Sequence, residues 1–263
     1  MAQTESKMKI SPLSNPFLLE SIFEVRWELL EDSQSGRFCD PAYPMMYGRI
    51  YEHVKNDFPL IEDLPSVQAH PDTTPYMVRH RLRKESNSMP LIQIGPGILT
   101  VNDAKGYSWF EFKSLAIRLV ELIDSLYPTG TMKLNFVKAE LRYITGIPFT
   151  QEDPLSFLSE KLRIRVSVPQ DLLLQPAMPN NVGLNLAYPL EQPVSNLLFS
   201  ANLGHVDSKP AYILQSVIQS LGEVVPKNCE EFDRWLGQAN ISADQSIQSL
   251  SKGLFMHQLT GAL

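Results

Sequence analysis

The sequence predicts an α+β fold of two similar halves, each running strand, helix, three strands, helix, with antiparallel sheet and its helices on one face. Three observations carry that reading: period-two alternation over 19–30 and 132–147, amphipathic helical spacing over 42–58 and 107–127, and triplets of short strands bounded by turn residues over 76–102 and 182–219. The 263 residues, 43% hydrophobic and 20% charged, have an ordinary globular composition and suffice for one large domain or two small ones. The expected division is a loose tail over 1–14, a first half over 15–130 and a second half over 131–263, the two halves forming one compact unit.

After a turn signal at Ser14-Asn15-Pro16, Phe23, Val25, Trp27 and Leu29 alternate with Glu24, Arg26 and Glu28, as in a half-buried strand. Asp40-Pro41 opens a helix over 42–58, in which Tyr43, Met46, Tyr47, Ile50, Tyr51 and Val54 recur at spacings of three and four. Phe58-Pro59 ends it, and a loop of roughly fifteen residues follows, longer than common connections. Strands over 76–85, 90–95 and 97–102 are joined by Glu85-Ser86-Asn87-Ser88 and Gly95-Pro96-Gly97, giving an antiparallel meander. Phe110, Leu115, Leu119, Leu122, Ile123 and Leu126 mark a helix over 107–127, stopped by Pro128 and Gly130.

The second half repeats the order: a strand over 132–147, a short helix over 154–162, strands near 182–190, 195–203 and 210–219, and a helix over 227–252. Glu24-Val25-Arg26-Trp27 is echoed by Glu140-Leu141-Arg142-Tyr143, each Glu, apolar, Arg, aromatic, at an offset of 116 (140 minus 24). The implied architecture is a pseudo-duplicated one. Its element order is similar to the saddle of the TATA-binding protein and to helix-grip folds, an analogy of order that carries no function.

The 23 Lys+Arg against 29 Asp+Glu leave a net charge of −6, which argues against chain-wide recognition of nucleic acid or anionic lipid. Cys39 and Cys229 have neither the density of a disulfide scaffold nor the spacing of a zinc site, which suggests a reducing compartment. The first residues are polar and include Lys7 and Lys9 with no apolar segment behind them, and no run is long enough to span a bilayer. A cytoplasmic protein is expected.

Arg79, Arg81 and Arg83 form the most conspicuous charge pattern: strand periodicity places them on one face, with Val78, His80 and Leu82 on the other. Three guanidiniums in a row could bind phosphate or carboxylate; a solvated sheet face is the weightier reading. Glu24, Arg26, Glu28, Lys138, Glu140 and Arg142 could join that face, and their mixed signs predict a surface laced with ion pairs rather than a nucleic-acid track. Gly95-Pro96-Gly97, flanked by strands, reads as a hairpin turn and not as a phosphate loop. The histidines lack metal-ligand spacing, Glu230 and Glu231 suit a helix N-terminus, and no nucleophile elbow, Walker lysine or dinucleotide fingerprint occurs. No catalytic, cofactor-binding or metal residue is assigned. The apolar end of the chain, with Leu254, Phe255, Met256, Leu259 and Leu263, is expected to dock rather than fray.

The phrases Asn15-Pro16 with Glu20-Ser21-Ile22-Phe23-Glu24-Val25-Arg26-Trp27, then Ile92-Gln93-Ile94-Gly95-Pro96-Gly97-Ile98-Leu99-Thr100-Val101-Asn102 with Tyr107 and Trp109, and Leu141-Arg142-Tyr143-Ile144 resemble a sporadically distributed prokaryotic family of about this length. The resemblance covers nearly the whole chain; the middle phrase is the most specific and the C-terminal half the loosest. It implies a bacterial or archaeal cytoplasmic protein of patchy occurrence, as at accessory, mobile or defence-associated loci. It implies no activity and carries over no site residue.

The functional expectation is a non-enzymatic, accessory or antitoxin-like protein that binds another protein through its sheet face or apolar C-terminal region, with a homo-oligomer as a further form of association. The alternative is an anion- or nucleotide-binding module or enzyme built around Arg79, Arg81, Arg83 and Arg142. Nucleic acid and membrane are disfavoured partners.

Overall fold

The computed structural model describes residues 17–260 apart from 32, 34, 35, 71, 72, 105, 129, 131, 132, 150–152, 170, 171 and 173–176, and only the backbone of 251–260. The expected N-terminal tail, the turn at 14–16 and the docking of the apolar C-terminal side chains lie outside the described residues.

In chain order the elements are β1 (Leu18–Trp27), β2 (Leu30–Glu31), β3 (Phe38–Cys39), α1 (Tyr43–Val54), β4 (Leu60–Asp63), β5 (His80–Arg83), β6 (Leu91–Gly95), β7 (Ile98–Asp103), α2 (Trp109–Leu126), β8 (Phe136–Pro148), α3 (Pro154–Lys161), β9 (Leu184–Glu191), β10 (Val194–Val206), β11 (Lys209–Leu221) and α4 (Cys229–Thr260). The fold is α+β: a nine-stranded sheet in the order β4-β5-β6-β7-β1-β8-β11-β10-β9, a separate β2-β3 ribbon, and helices on one side. Every pairing is antiparallel. First-half strands occupy one flank and second-half strands the other, and β1 meets β8 in the middle with Glu24 directly opposite Glu140. The strands being antiparallel, the two echoing phrases meet at that pair and run in opposite directions from it. The first flank runs strand, two-stranded ribbon, helix, four strands, helix and the second strand, helix, three strands, helix, so the expected repetition of one element order is not shown.

The alternation of β1 puts Phe23, Val25 and Trp27 fully under the helices. On α1, Tyr43, Met46, Ile50 and Val54 are buried, the stripe its spacing predicts. On α2 the buried stripe is Phe112, Ala116, Leu119, Val120 and Ile123, whereas Phe110 is 79% exposed. Placing Phe110 in the core was wrong: two residues before Phe112 on a helix of 100° per residue, it points to the far side. The helix α4 extends over about 48 Å at 1.5 Å per residue. It carries Phe232, Trp235, Leu236, Ala239, Ala243 and Ile247 into the main core, while Leu250 packs against a second cluster built on Phe157, Leu158, Phe199, Tyr212 and Leu214. Asn228 and Glu231 cap its start reciprocally: Asn228 Oδ1 accepts from Glu231 N–H at 3.0 Å, and the Glu231 carboxylate accepts from Lys227 N–H at 2.8 Å. The acidic residues there thus serve the helix end.

The expected loop after residue 59 contains β4 and a 3-10 turn (Pro65–Gln68), and the strand expected from residue 76 begins at His80. Leu60-Ile61-Glu62-Asp63 shows no alternation and lies between prolines, so only pairing with β5 makes it a strand. Residues 76–78 instead lie against the β6–β7 turn, where a Cβ built on Gly95 would run into the Met77 carbonyl oxygen. Gly97, at φ +72°, supplies the left-handed residue of that hairpin. Asp40 ties the region together. One carboxylate oxygen accepts from Trp27 Nε1–H at 2.9 Å and from Gly97 N–H at 3.0 Å, and the other accepts from Ala42 N–H at 3.1 Å at the start of α1.

Candidate functional site: the helix-free face of the sheet

Since successive side chains of a strand point to opposite faces, the residues opposite the core form the other surface of the sheet. Register sets a row straight across it: Glu62, Arg81, Gln93, Thr100, Glu24, Glu140, Gln219 and Asn196, contributed by β4, β5, β6, β7, β1, β8, β11 and β10. No single stretch of sequence displays this polar row.

At its centre the expected ion-pair lacing is present. The Glu24 carboxylate receives Arg26 Nε and Lys138 Nζ, each at 2.7 Å; Lys138 Nζ also reaches Glu140 Oε2 at 2.7 Å. Arg142 donates from Nη2 and Nε to Glu140 Oε1 at 2.6 and 3.0 Å, and Gln219 Nε2 donates to Glu140 Oε2 at 2.8 Å. The Arg26 guanidinium lies 5.1 Å from the centroid of the Tyr76 ring. Glu140 is only 2% exposed; burial alone would discourage its charge, but the Lys138 ammonium, helped by Arg142 and Gln219, holds its carboxyl below the usual range. A carboxylate so fixed as an anion is poorly suited to proton transfer and well suited to setting the register of β1, β8 and β11.

A group whose folded pKa is depressed stabilises the fold above its unfolded pKa and loses that contribution as pH falls through the folded value. Glu140→Gln is therefore expected to cost about 2 kcal/mol at neutral pH, the size of a charge-assisted hydrogen bond lost in a buried site. The difference should shrink towards zero as pH falls below the ordinary glutamate range. Chemical denaturation of both proteins across pH measures this.

The arginine row is placed differently from its expectation. The structure divides the seven singled-out residues into two groups: Glu24, Arg26, Glu140 and Arg142 are in the central network, whereas Arg79, Arg81 and Arg83 lie beyond β6 and β7. Arg79 and Arg83 are buried. Arg79 Nη2 donates to the carbonyls of Val67 at 2.7 Å and Ala69 at 2.8 Å, holding the segment before β5. Arg83 Nη1 donates to the Ser88 carbonyl at 2.6 Å, and its Nε lies 3.0 Å from Glu62 Oε1, a charge contact whose N–H is not aligned for a hydrogen bond. Only Arg81 is left, half-buried, with its Nε lacking a partner among the described residues. Three solvated guanidiniums on one face are not what the fold presents, because local carbonyls take up the donors at both ends of the row. His80, on the helix side, stacks on Tyr47 with ring centroids 4.1 Å apart.

Beside the network the second-half strands form a groove of about 430 Å³. Its polar lining is Glu140, Arg142, Asn185, Ser200, Gln215 and Gln219; Ala187, Leu198 and Val217 supply aliphatic surface. Sequence reasoning missed the residues from β9, β10 and β11. The signal was the strand-period spacing of Gln215, Val217 and Gln219, but the equally regular Ser216, Ile218 and Ser220 face the helices, where Ser216 bonds Ser246 and Ser220 bonds Trp235. Composition does not distinguish those two faces. Among the described residues there is no group of three or more His, Cys, Asp and Glu side chains placed to hold a metal ion, and no helix is long and apolar enough to cross a membrane. Comparison with protein-family models and with curated proteins gave no match.

Proposed function

We propose that the chain is a non-enzymatic, cytoplasmic accessory protein that holds a segment of another protein in the groove over β8, β11, β10 and β9. The observation that carries this is the lining of the groove: carboxamides that can donate to and accept from peptide groups alternate with aliphatic side chains, on a sheet face that none of the described helices covers. Close by, Arg26, Lys138 and Arg142 are all paired with Glu24 or Glu140, so the face holds little uncompensated charge to attract a polyanion, in keeping with the net charge of −6. An antitoxin-like role at a mobile or defence-associated locus is the form of this reading that the sequence resemblance suggests. The alternative, an anion or nucleotide site on the arginine row, has weaker support because Arg79 and Arg83 are engaged by carbonyls.

The test is affinity purification of the tagged chain from its host, in parallel with Ser200→Trp, which fills the groove. A stoichiometric protein retained by the parent and lost by the variant, with hydrogen-exchange protection of β9–β11 in the complex, is the expected result. Recovery of the bare chain, or a partner that binds both forms equally, would sink the proposal.

A further inference from the structure

The two edges of the sheet are unlike. On one side β4 is four residues long and carries Glu62 and Asp63, which contact Arg83 and His80 on its neighbour. It is short and charged, the usual protection of a strand edge. The other edge, β9, is eight residues long, pairs among the described residues with β10 alone and is exposed over Asn185–Pro189, with Leu186 at 41% and Tyr188 at 49%. Its only charge is Glu191 at the end. Pro189 has no backbone N–H and guards the end of the strand, but Leu184–Tyr188 ahead of it keep all their donors, and without a central charge that stretch invites another strand.

We propose that β9 is a dimerisation edge, at which a second copy of this chain adds its own β9 antiparallel and extends the sheet across a two-fold axis. Side chains on the same face must stay together, so a register centred on Ala187 places Leu186 of each copy opposite Tyr188 of the other, and Leu184 opposite Leu190. Two exposed apolar side chains per copy thereby gain cross-strand partners. The charges are compatible: the two Glu191 residues fall at opposite ends of the new pair, and β9 brings no other ionised group to the contact. A second copy fits better than pairing of β9 with β4, because that contact is heterologous and would propagate into a filament, whereas β9 with β9 closes on itself. The pairing also completes the groove, whose outer wall is Asn185, Leu186 and Ala187 of the edge strand. It stands independently of what the groove holds.

Sedimentation equilibrium of the full chain at micromolar concentration is expected to give twice the chain mass, and Leu186→Lys/Tyr188→Lys, which sets like charges across the edge, is expected to give the monomer with an unchanged far-ultraviolet circular dichroism spectrum. A second readout does not depend on that variant folding. Ala187→Cys places two thiols at the axis, where Cα atoms of opposed residues in an antiparallel pair are about 4.5–5.5 Å apart, within reach of a disulfide. Oxidation should therefore link the copies in this variant and not in the parent. A monomeric parent, a folded lysine variant that still dimerises, or no added cross-link from Ala187→Cys would each overturn the proposal.

Discussion

Replacing Asp40 by Ala is expected to destabilise the fold by about 4 kcal/mol. The substitution leaves the Trp27 indole N–H and the Gly97 N–H buried without an acceptor, at about 1–3 kcal/mol each, and removes the acceptor for Ala42 N–H where α1 begins. Part of this is returned, because burial raises the Asp40 pKa in spite of the hydrogen bonds it accepts from Gly97, Trp27 and Ala42. A carboxyl with a raised folded pKa contributes most below its unfolded pKa and less as pH rises through the folded value, so the penalty of Asp40→Ala should be larger in mild acid than at neutral pH. Urea denaturation at several pH values measures both statements. Adding Trp27→Phe to Asp40→Ala should cost less than the sum of the single changes, since the orphaned indole donor is then gone.

Gly95→Ala is expected to cost about 3 kcal/mol or more, for a steric reason alone. The new Cβ would meet the Met77 carbonyl oxygen and lie 2.8 Å from its carbon, and these are backbone atoms held near Tyr76, whose N–H donates to the Pro96 carbonyl at 3.1 Å. Neither side can yield by rotating a side chain, so the hairpin or the crossing segment must move. Gly48→Ala is the control: that position is an exposed one inside α1 with nothing within 4 Å of a built Cβ, and the change should stabilise by about 0.5–1 kcal/mol. Thermal or chemical melts of the two variants should shift in opposite directions. The Gly95-Pro96-Gly97 phrase, the most distinctive in the chain, is thereby explained as a packing requirement of the fold.

Element types were legible because they are written locally. Alternation in 19–30 marks β1, a three-and-four spacing marks α1, Pro128 and Gly130 follow the end of α2, and the flanking strand signals identify the Gly95-Pro96-Gly97 hairpin. The central ion pairs were also foreseeable, since Glu24 with Arg26 and Glu140 with Arg142 each stand two residues apart on one strand face. Where expectation failed, a distant partner made the decision. Arg79 reads as a solvated strand residue until the Val67 and Ala69 carbonyls close on it; β4 reads as loop until β5 pairs with it.

By itself, then, the sequence determined the order and kind of the elements, the apolar faces they bury and the near balance of charge on the opposite face. Tertiary structure decided which strands became neighbours, and with that the polar row, the groove and the open edge at β9. The reason is physical: helix and strand periodicities are set by residues a few positions apart, whereas Lys138 meets Glu24 across 114 positions and Gln219 meets Glu140 across 79. Those meetings depend on register, and register follows from burying one face of every strand at once.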